Sequence, residues 1–257
     1  MKRNLVWIWL AMIVALPVAS QTNETKKKTE YKVVSEVRNV ASFETIDVSG
    51  RFLVMLYPGT KPEVTVVAAD EYISIVQTNV EKGVLKINML DLTDNKNVSI
   101  VDGLKTKYND YLIRQPIEIH IAVTNVTKIF VNGVTTLETE SMLKLQNLYI
   151  NINDASKANL NIEIDNGFMA ALSGASKMDI YGKAENADIS VSGASSFEGK
   201  DFKTYNAKMT LSGASRANIH VTESLDAELK GATKLVCSGS PKNIRQNASR
   251  GSSIVIK

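Results

Sequence analysis

The sequence predicts an all-β chain wound as a right-handed parallel β-helix, a solenoid with coils of about 20 residues. Three observations carry that prediction. One short phrase recurs from Gly133 onward: Asn132-Gly133-Val134-Thr135, Asp154-Ala155-Ser156, Gly174-Ala175-Ser176, Gly193-Ala194-Ser195, Gly213-Ala214-Ser215, Gly231-Ala232-Thr233 and a degenerate Arg250-Gly251-Ser252. The anchors lie 21, 20, 19, 20, 18 and 19 residues apart, and a fixed period of this size marks stacked repeats that cannot bury an apolar face alone. Within each repeat the apolar residues alternate with polar ones, the period of a strand. No convincing helical pattern lies beyond the first 20 residues. Parallel crossovers are right-handed, which sets the hand.

Taken in order, residues 1–20 read as a signal peptide. Lys2 and Arg3 precede an apolar run, Leu5 to Leu16, and Val18-Ala19-Ser20 supplies small residues for cleavage. The run is short of the roughly 20 residues that span a bilayer. Residues 21–30, with Lys26-Lys27-Lys28, read as a disordered leader. Residues 31–257 are expected to be one β-solenoid domain, less regular over 31–123 and regular over 124–257. Strand patterns fall at Tyr31–Val37, Phe43–Val48, Phe52–Tyr57, Val64–Ala68 and Val84–Met89, with turns at Ser49-Gly50, Pro58-Gly59 and Glu81-Lys82-Gly83. Phe52-Leu53-Val54-Met55-Leu56 is apolar on both faces and should be covered on both. The polar stretch 91–115 breaks the rhythm and reads as a long excursion carrying Tyr108 and Tyr111. Strand pattern resumes at Ile117–Val123.

In the regular coils the residues two before each anchor are Val131, Ile152, Leu172, Val191, Leu211 and Leu229. Those four before are Ile129, Ile150, Ala170, Ile189, Met209 and Ala227. After the anchor the apolar positions are Leu137, Ala158, Met178, Phe197, Ala217 and Leu235, then Leu160, Ile180, Ile219 and Cys237. These should form inward ladders and close a dry interior. At the bend, Gly supplies backbone angles closed to other residues. Ala is small enough to tuck inside, and the Ser or Thr hydroxyl can bond backbone groups. Ser156, Ser176, Ser195 and Ser215 lack a histidine partner, so a nucleophile row is not the better reading.

Composition excludes some classes. Lys plus Arg number 30 and Asp plus Glu 27; without Lys2 and Arg3 the two signs differ by one, which disfavours nucleic acid or an anionic membrane as partner. Cys237 is the single cysteine, so no internal disulfide forms, and its inward position suits a small core residue. The acids Asp179, Glu198, Asp201, Asp226 and Glu228 are dispersed over coil positions, and His120 and His220 stand singly between apolar residues, pointing outward. Neither arrangement supports a catalytic constellation or a metal site, and no cofactor is implied. Three residues after the anchors come Lys157, Lys177, Arg216 and Lys234, with Ser196 interrupting, and two further on Asn159, Asp179, Glu198, Asn218 and Val236. Stacking would set a basic row beside a partly acidic one, a strip for anionic glycans or polar partners, or a charged face that keeps the sheet soluble.

Phe43-Glu44-Thr45-Ile46-Asp47-Val48-Ser49-Gly50, together with Ser173-Gly174-Ala175-Ser176-Lys177, Ser192-Gly193-Ala194-Ser195 and Ser212-Gly213-Ala214-Ser215-Arg216, resembles the head GIN domain family, bacterial proteins labelled auto-transporter adhesins. The resemblance covers roughly 40–257 and implies a β-helical fold, export and an adhesive role, with no catalytic residues to carry over. The phrase is altered at Asp154, Lys230-Gly231 and Arg250. The sequence therefore favours a non-catalytic binding module of the periplasm or cell surface, meeting an envelope or extracellular glycan or protein. Its candidate contact residues are Lys157, Lys177, Arg216, Lys234, Tyr108 and Tyr111. The alternatives are a lyase- or hydrolase-like β-helix enzyme acting on polysaccharide and a structural envelope protein. The final strand, Ile254-Val255-Ile256, would offer an edge for self-association.

Overall fold

Residues 32–90 and 116–257 are described by a computed structural model. Their strands join into one sheet of 17, wound as stacked parallel coils of about 20 residues. The chain opens with β1 (Val33–Asn39), β2 (Thr45–Gly50), β3 (Phe52–Pro58), β4 (Glu63–Ala69), a single 3₁₀ turn (Ile73–Ile75), β5 (Val76–Glu81) and β6 (Val84–Met89). The stretch 91–115, read from the sequence as an excursion, lies outside the described residues; beyond it come β7 (Ile117–Val123), β8 (Lys128–Gly133) and β9 (Thr136–Thr139). The repeats supply β10 (Leu143–Ile152), β11 (Lys157–Leu172), β12 (Lys177–Val191), β13 (Ser196–Leu211), β14 (Arg216–Leu229), β15 (Lys234–Ser238), β16 (Asn243–Ala248) and β17 (Ser253–Ile256).

The coils do not stack in sequence order. β2 lies between β6 and β8, with Val48 opposite both Ile87 and Val131. β3 lies between β7 and β9, with Val54 opposite both Ile119 and Leu137. The first coil in sequence is thus the second in space, and β6 and β7 build the rung outside it. Antiparallel strands close that end: β4 runs against β7 and β1 against β4, while β5 runs against β6. A parallel stack needs such a cover, because its last rung otherwise presents a row of unpaired backbone groups. Arg38 of β1 fastens the cover, its guanidinium donating to the Val76 carbonyl at 2.5 Å and the Ile73 carbonyl at 2.9 Å. The turn at Lys82-Gly83 falls where the sequence places it, with both residues at positive φ. Strand β5 is not foreseen, because Gln77, Asn79 and Glu81 leave only Val76 and Val80 to mark a face. At the other end β16 pairs with β14 and β17 with β15, leaving Ile244, Val255 and Ile256 exposed.

From β11 to β14 each long strand leaves one bend and runs to the next. Every inward ladder read from the sequence is buried, from Ile129, Ile150, Ala170, Ile189, Met209 and Ala227 to Leu160, Ile180, Ile219 and Cys237. Burial of each Val, Ile or Leu is worth about 1.5–3 kcal/mol. Burial pushes the Cys237 thiol above its ordinary range, as expected of a core cysteine.

The bend corrects one expectation. Alanine does not tuck in: Ala155, Ala175, Ala194, Ala214 and Ala232 are exposed, while Ser156, Ser176, Ser195, Ser215 and Thr233 are buried. Positive φ at the glycine turns the next residue out and the following one in, so the hydroxyls form their own interior ladder. Ser176 Oγ donates to Ser195 Oγ at 3.2 Å, Ser156 Oγ to the Gly133 carbonyl at 3.2 Å, and Ser215 Oγ to the Val191 carbonyl at 3.1 Å. The glycines also allow close stacking. A Cβ on Gly174 would lie 2.6 Å from the Asp154 carbonyl oxygen, and one on Gly193 2.5 Å from that of Gly174. Asp154 takes the same left-handed conformation, φ 63°, which Asp tolerates, and its carboxylate accepts the Gly133 N–H at 2.9 Å.

The hydroxyl ladder ends unevenly. Thr135 Oγ1 donates to the Gly50 carbonyl at 3.1 Å, whereas Thr233 Oγ1 is buried without a partner. A buried hydroxyl with no bond is a cost that an isosteric methyl removes. Thr233→Val should therefore be neutral or stabilising, and Thr135→Val should lose about 1 kcal/mol. Denaturant melts of the two variants check this; equal losses would contradict it.

Candidate functional site

The strands that follow each bend present one continuous outward face. Its first row runs Thr136, Lys157, Lys177, Ser196, Arg216, Lys234 and Ser253, each opposite the next. The second row runs Glu138, Asn159, Asp179, Glu198, Asn218 and Val236. The basic and partly acidic rows read from the spacing are therefore adjacent on the surface, because residues two apart on a strand share a face. Neighbouring coils sit about 4.8 Å apart, so each row brings like residues within side-chain reach.

The two rows partly neutralise one another. Lys177 Nζ lies 2.8 Å from the Asp179 carboxylate, and that hydrogen bond holds the Lys177 ammonium above the ordinary lysine range. Arg216 Nε lies 3.8 Å from Glu198 and donates to Ser196 Oγ at 3.2 Å. Ser196 Oγ in turn donates to Glu198 at 2.9 Å, and Asn218 donates to the other carboxylate oxygen of Glu198. The serine that interrupts the basic row is thus built into the network. Among the described residues, Lys157 and Lys234 form no ion pair. Of the four predicted cations two are committed within the face and two are available to a partner. Tyr108 and Tyr111 lie outside the described residues.

Farther along the same face, on the coils nearest the capped end, His120 meets two carboxylates. Its Nδ1 lies 2.7 Å from Glu140 and its Nε2 3.4 Å from Glu118. Tyr57 Oη donates to Glu63 at 3.5 Å, and burial together with the Glu63 carboxylate raises the phenol above its ordinary range. This grouping escapes sequence reading because β3 is inserted between β7 and β9, which no local spacing reveals. His220 stands on the outward side of β14 and meets Ser238 Oγ at 3.2 Å. Among the described residues no three metal-ligating side chains gather into a cation site. Two further ladders run from coil to coil, one beside the bends and one on the return. Asn153 donates to Asn132 at 2.9 Å and Ser173 to Asn153 at 2.6 Å, and on the return Asn206 donates to Asn186 at 3.0 Å. Stacked polar side chains of this kind tie coil to coil.

A filled interior and a laddered exterior define a parallel β-solenoid whose chemistry lies on its surface. Residues 42–241 match the family described as "Putative auto-transporter adhesin, head GIN domain", and the chain belongs to that family. Among solved structures it is similar to a "putative adhesin" from Bacteroides fragilis, with a TM-score of 0.73 at 18% identity, over 89% of this chain and 98% of that one. It is also similar to a "putative lipid binding protein" from Parabacteroides distasonis, with a TM-score of 0.64 at 14% identity over 88% and 96%. A "putative adhesin" from Parabacteroides merdae gives 0.63 at 14% identity over 88% and 96%. These likenesses establish the fold. No curated protein matches the sequence. Among the described residues no helix is long and apolar enough to cross a membrane.

Proposed function

We propose that the protein is an exported, non-catalytic adhesin that meets an envelope or extracellular glycan or protein through the ladder face of β11–β15. The observation that carries this reading is the row Lys157, Lys177, Arg216 and Lys234 set at equal height on stacked coils. A repeated row suits a repeating partner, because each coil offers the same contact one step further along. Family membership supports the adhesive role, and the basic, apolar and small-residue order of residues 1–20 supports export. Packing supports it too, since the aliphatic ladders fill the middle of the coils and leave the surface as the place for recognition.

Binding of the protein to isolated cell-envelope fractions, followed by co-sedimentation, tests the reading. The double variant Lys157→Glu/Lys234→Glu is expected to weaken binding at least about tenfold and to flatten its salt dependence, because rim charges act through screened attraction. Both residues are exposed on the surface, so the melting temperature should stay within a few degrees of the parent. Absence of binding to every fraction, or binding indifferent to the double variant, would remove the ladder face from consideration.

A further inference from the structure

A groove of about 610 Å³ runs along the return side of the coils, between two outward rows. One wall is Lys183 and Lys203, opposite one another on adjacent coils; the other is Asp165, Glu185 and Tyr205. Its floor is the stacked row of Ile164, Ala184 and Thr204 on successive coils. Where earlier coils place Leu145 and Ile164, the next two place Ala184 and Thr204. Several lining groups are already engaged: Asp165 accepts from Gln146 at 2.6 Å, Lys183 lies 3.5 Å from Glu163, and Thr204 Oγ1 donates to the His220 carbonyl at 3.0 Å. Among the described residues the side chains of Lys203, Glu185 and Tyr205 make no hydrogen bond or ion pair, and Tyr205 is 63% exposed, the most of any large apolar side chain described.

The three unengaged groups specify a chemistry. An exposed phenol ring offers a flat apolar face with a polar tip. The ammonium donates and the carboxylate accepts. Across both walls two cations face two anions, so a strongly charged polymer of either sign would meet repulsion on one side. An apolar peptide would leave the amine and the carboxylate desolvated and unpaired. A hydroxyl-rich, uncharged chain satisfies all three groups. The groove crosses at least three coils spaced about 4.8 Å apart, which suits an extended ligand lying along the stack.

We propose that this groove binds a neutral oligosaccharide laid along the solenoid axis, one sugar face on the Tyr205 ring, with Lys203 donating to and Glu185 accepting from its hydroxyls. The site rests on the reading of the protein as a binding module, but uses a different side of the coils from the ladder face.

Isothermal titration calorimetry with cellohexaose, maltohexaose and chitohexaose, and separately with hexagalacturonate, tests it. At least one neutral hexasaccharide should bind, with little dependence on salt. Tyr205→Ala should weaken that binding at least about tenfold, and Lys203→Met and Glu185→Gln several-fold each, with melting temperatures preserved because all three side chains are on the surface. Lys157→Glu/Lys234→Glu should leave it unchanged. No binding by any neutral hexasaccharide, preference for hexagalacturonate, or affinity indifferent to Tyr205→Ala would overturn the groove. Envelope binding that survives in Tyr205→Ala and falls in the ladder variant would then leave the adhesive reading standing alone. Oligosaccharide binding in the groove without envelope binding would separate the two in the opposite sense.

Discussion

Ile189→Asp or Leu211→Asp is expected to destabilise the protein by several kcal/mol and to lower its melting temperature sharply. Both side chains are fully buried, so each substitution removes about 2–3 kcal/mol of apolar burial and adds the cost of a charge without a partner. Ile189 lies between Ala170 and Met209 in its ladder, so neither neighbouring coil offers a polar group to meet the carboxylate. The control is one residue away. Ser190 is exposed on the outward side, and Ser190→Asp should change stability by no more than about 0.5 kcal/mol. Thermal melts followed by circular dichroism decide the matter: an unchanged Ile189→Asp variant would place that residue outside the core.

A comparable loss is expected for Gly193→Ala. Gly193 has φ +71°, and a Cβ there would lie 2.5 Å from the Gly174 carbonyl oxygen and 3.1 Å from its nitrogen. The left-handed conformation costs an alanine about 1–2 kcal/mol, and the clash is with backbone, which can move only by spreading two coils. Gly83 separates the two contributions. Its φ is +77° and an added Cβ would meet nothing within 4 Å, so Gly83→Ala should lose only the conformational part. Measured by denaturant unfolding, Gly193→Ala should lose clearly more than Gly83→Ala. Equal losses would mean that the bends are not pressed against one another.

The regular coils are legible in the sequence because burial alternates with the strand period and the bend repeats. Val131, Ile152, Leu172, Val191, Leu211 and Leu229 need no tertiary information to be placed inward. The order of the first coils is not legible. Nothing local in Thr45–Gly50 or Phe52–Pro58 says that β6 and β7 will lie on one side and β8 and β9 on the other, since strand pairing over such separations is decided by which apolar faces meet. The exchange of Ala and Ser across the bend was hidden for a related reason. Alternation stops at a residue of positive φ, and only the traced backbone shows which neighbour turns inward. In the ladder face, the row Lys157, Lys177, Arg216 and Lys234 follows from spacing alone. That Lys177 and Arg216 are held by Asp179 and Glu198 depends on side-chain reach, which spacing does not encode. The same holds for Tyr205: its neighbours read as an ordinary polar return, and the groove they line with the adjacent coils is not encoded in spacing.

The insertion of β2 and β3 between later strands bears on the route by which the chain acquires its shape. A polypeptide delivered amino-terminus first must hold these two strands without their full set of partners until residue 139 has emerged, because Thr139 completes the rung on their far side. Such distant pairing is slow, since chain closure precedes the reward of contact. Every later rung finds a finished template waiting and adds by short-range zipping. Winding therefore has a laborious start and a quick remainder, and an interruption after residue 139 leaves a shorter spool with its opening turns already secured.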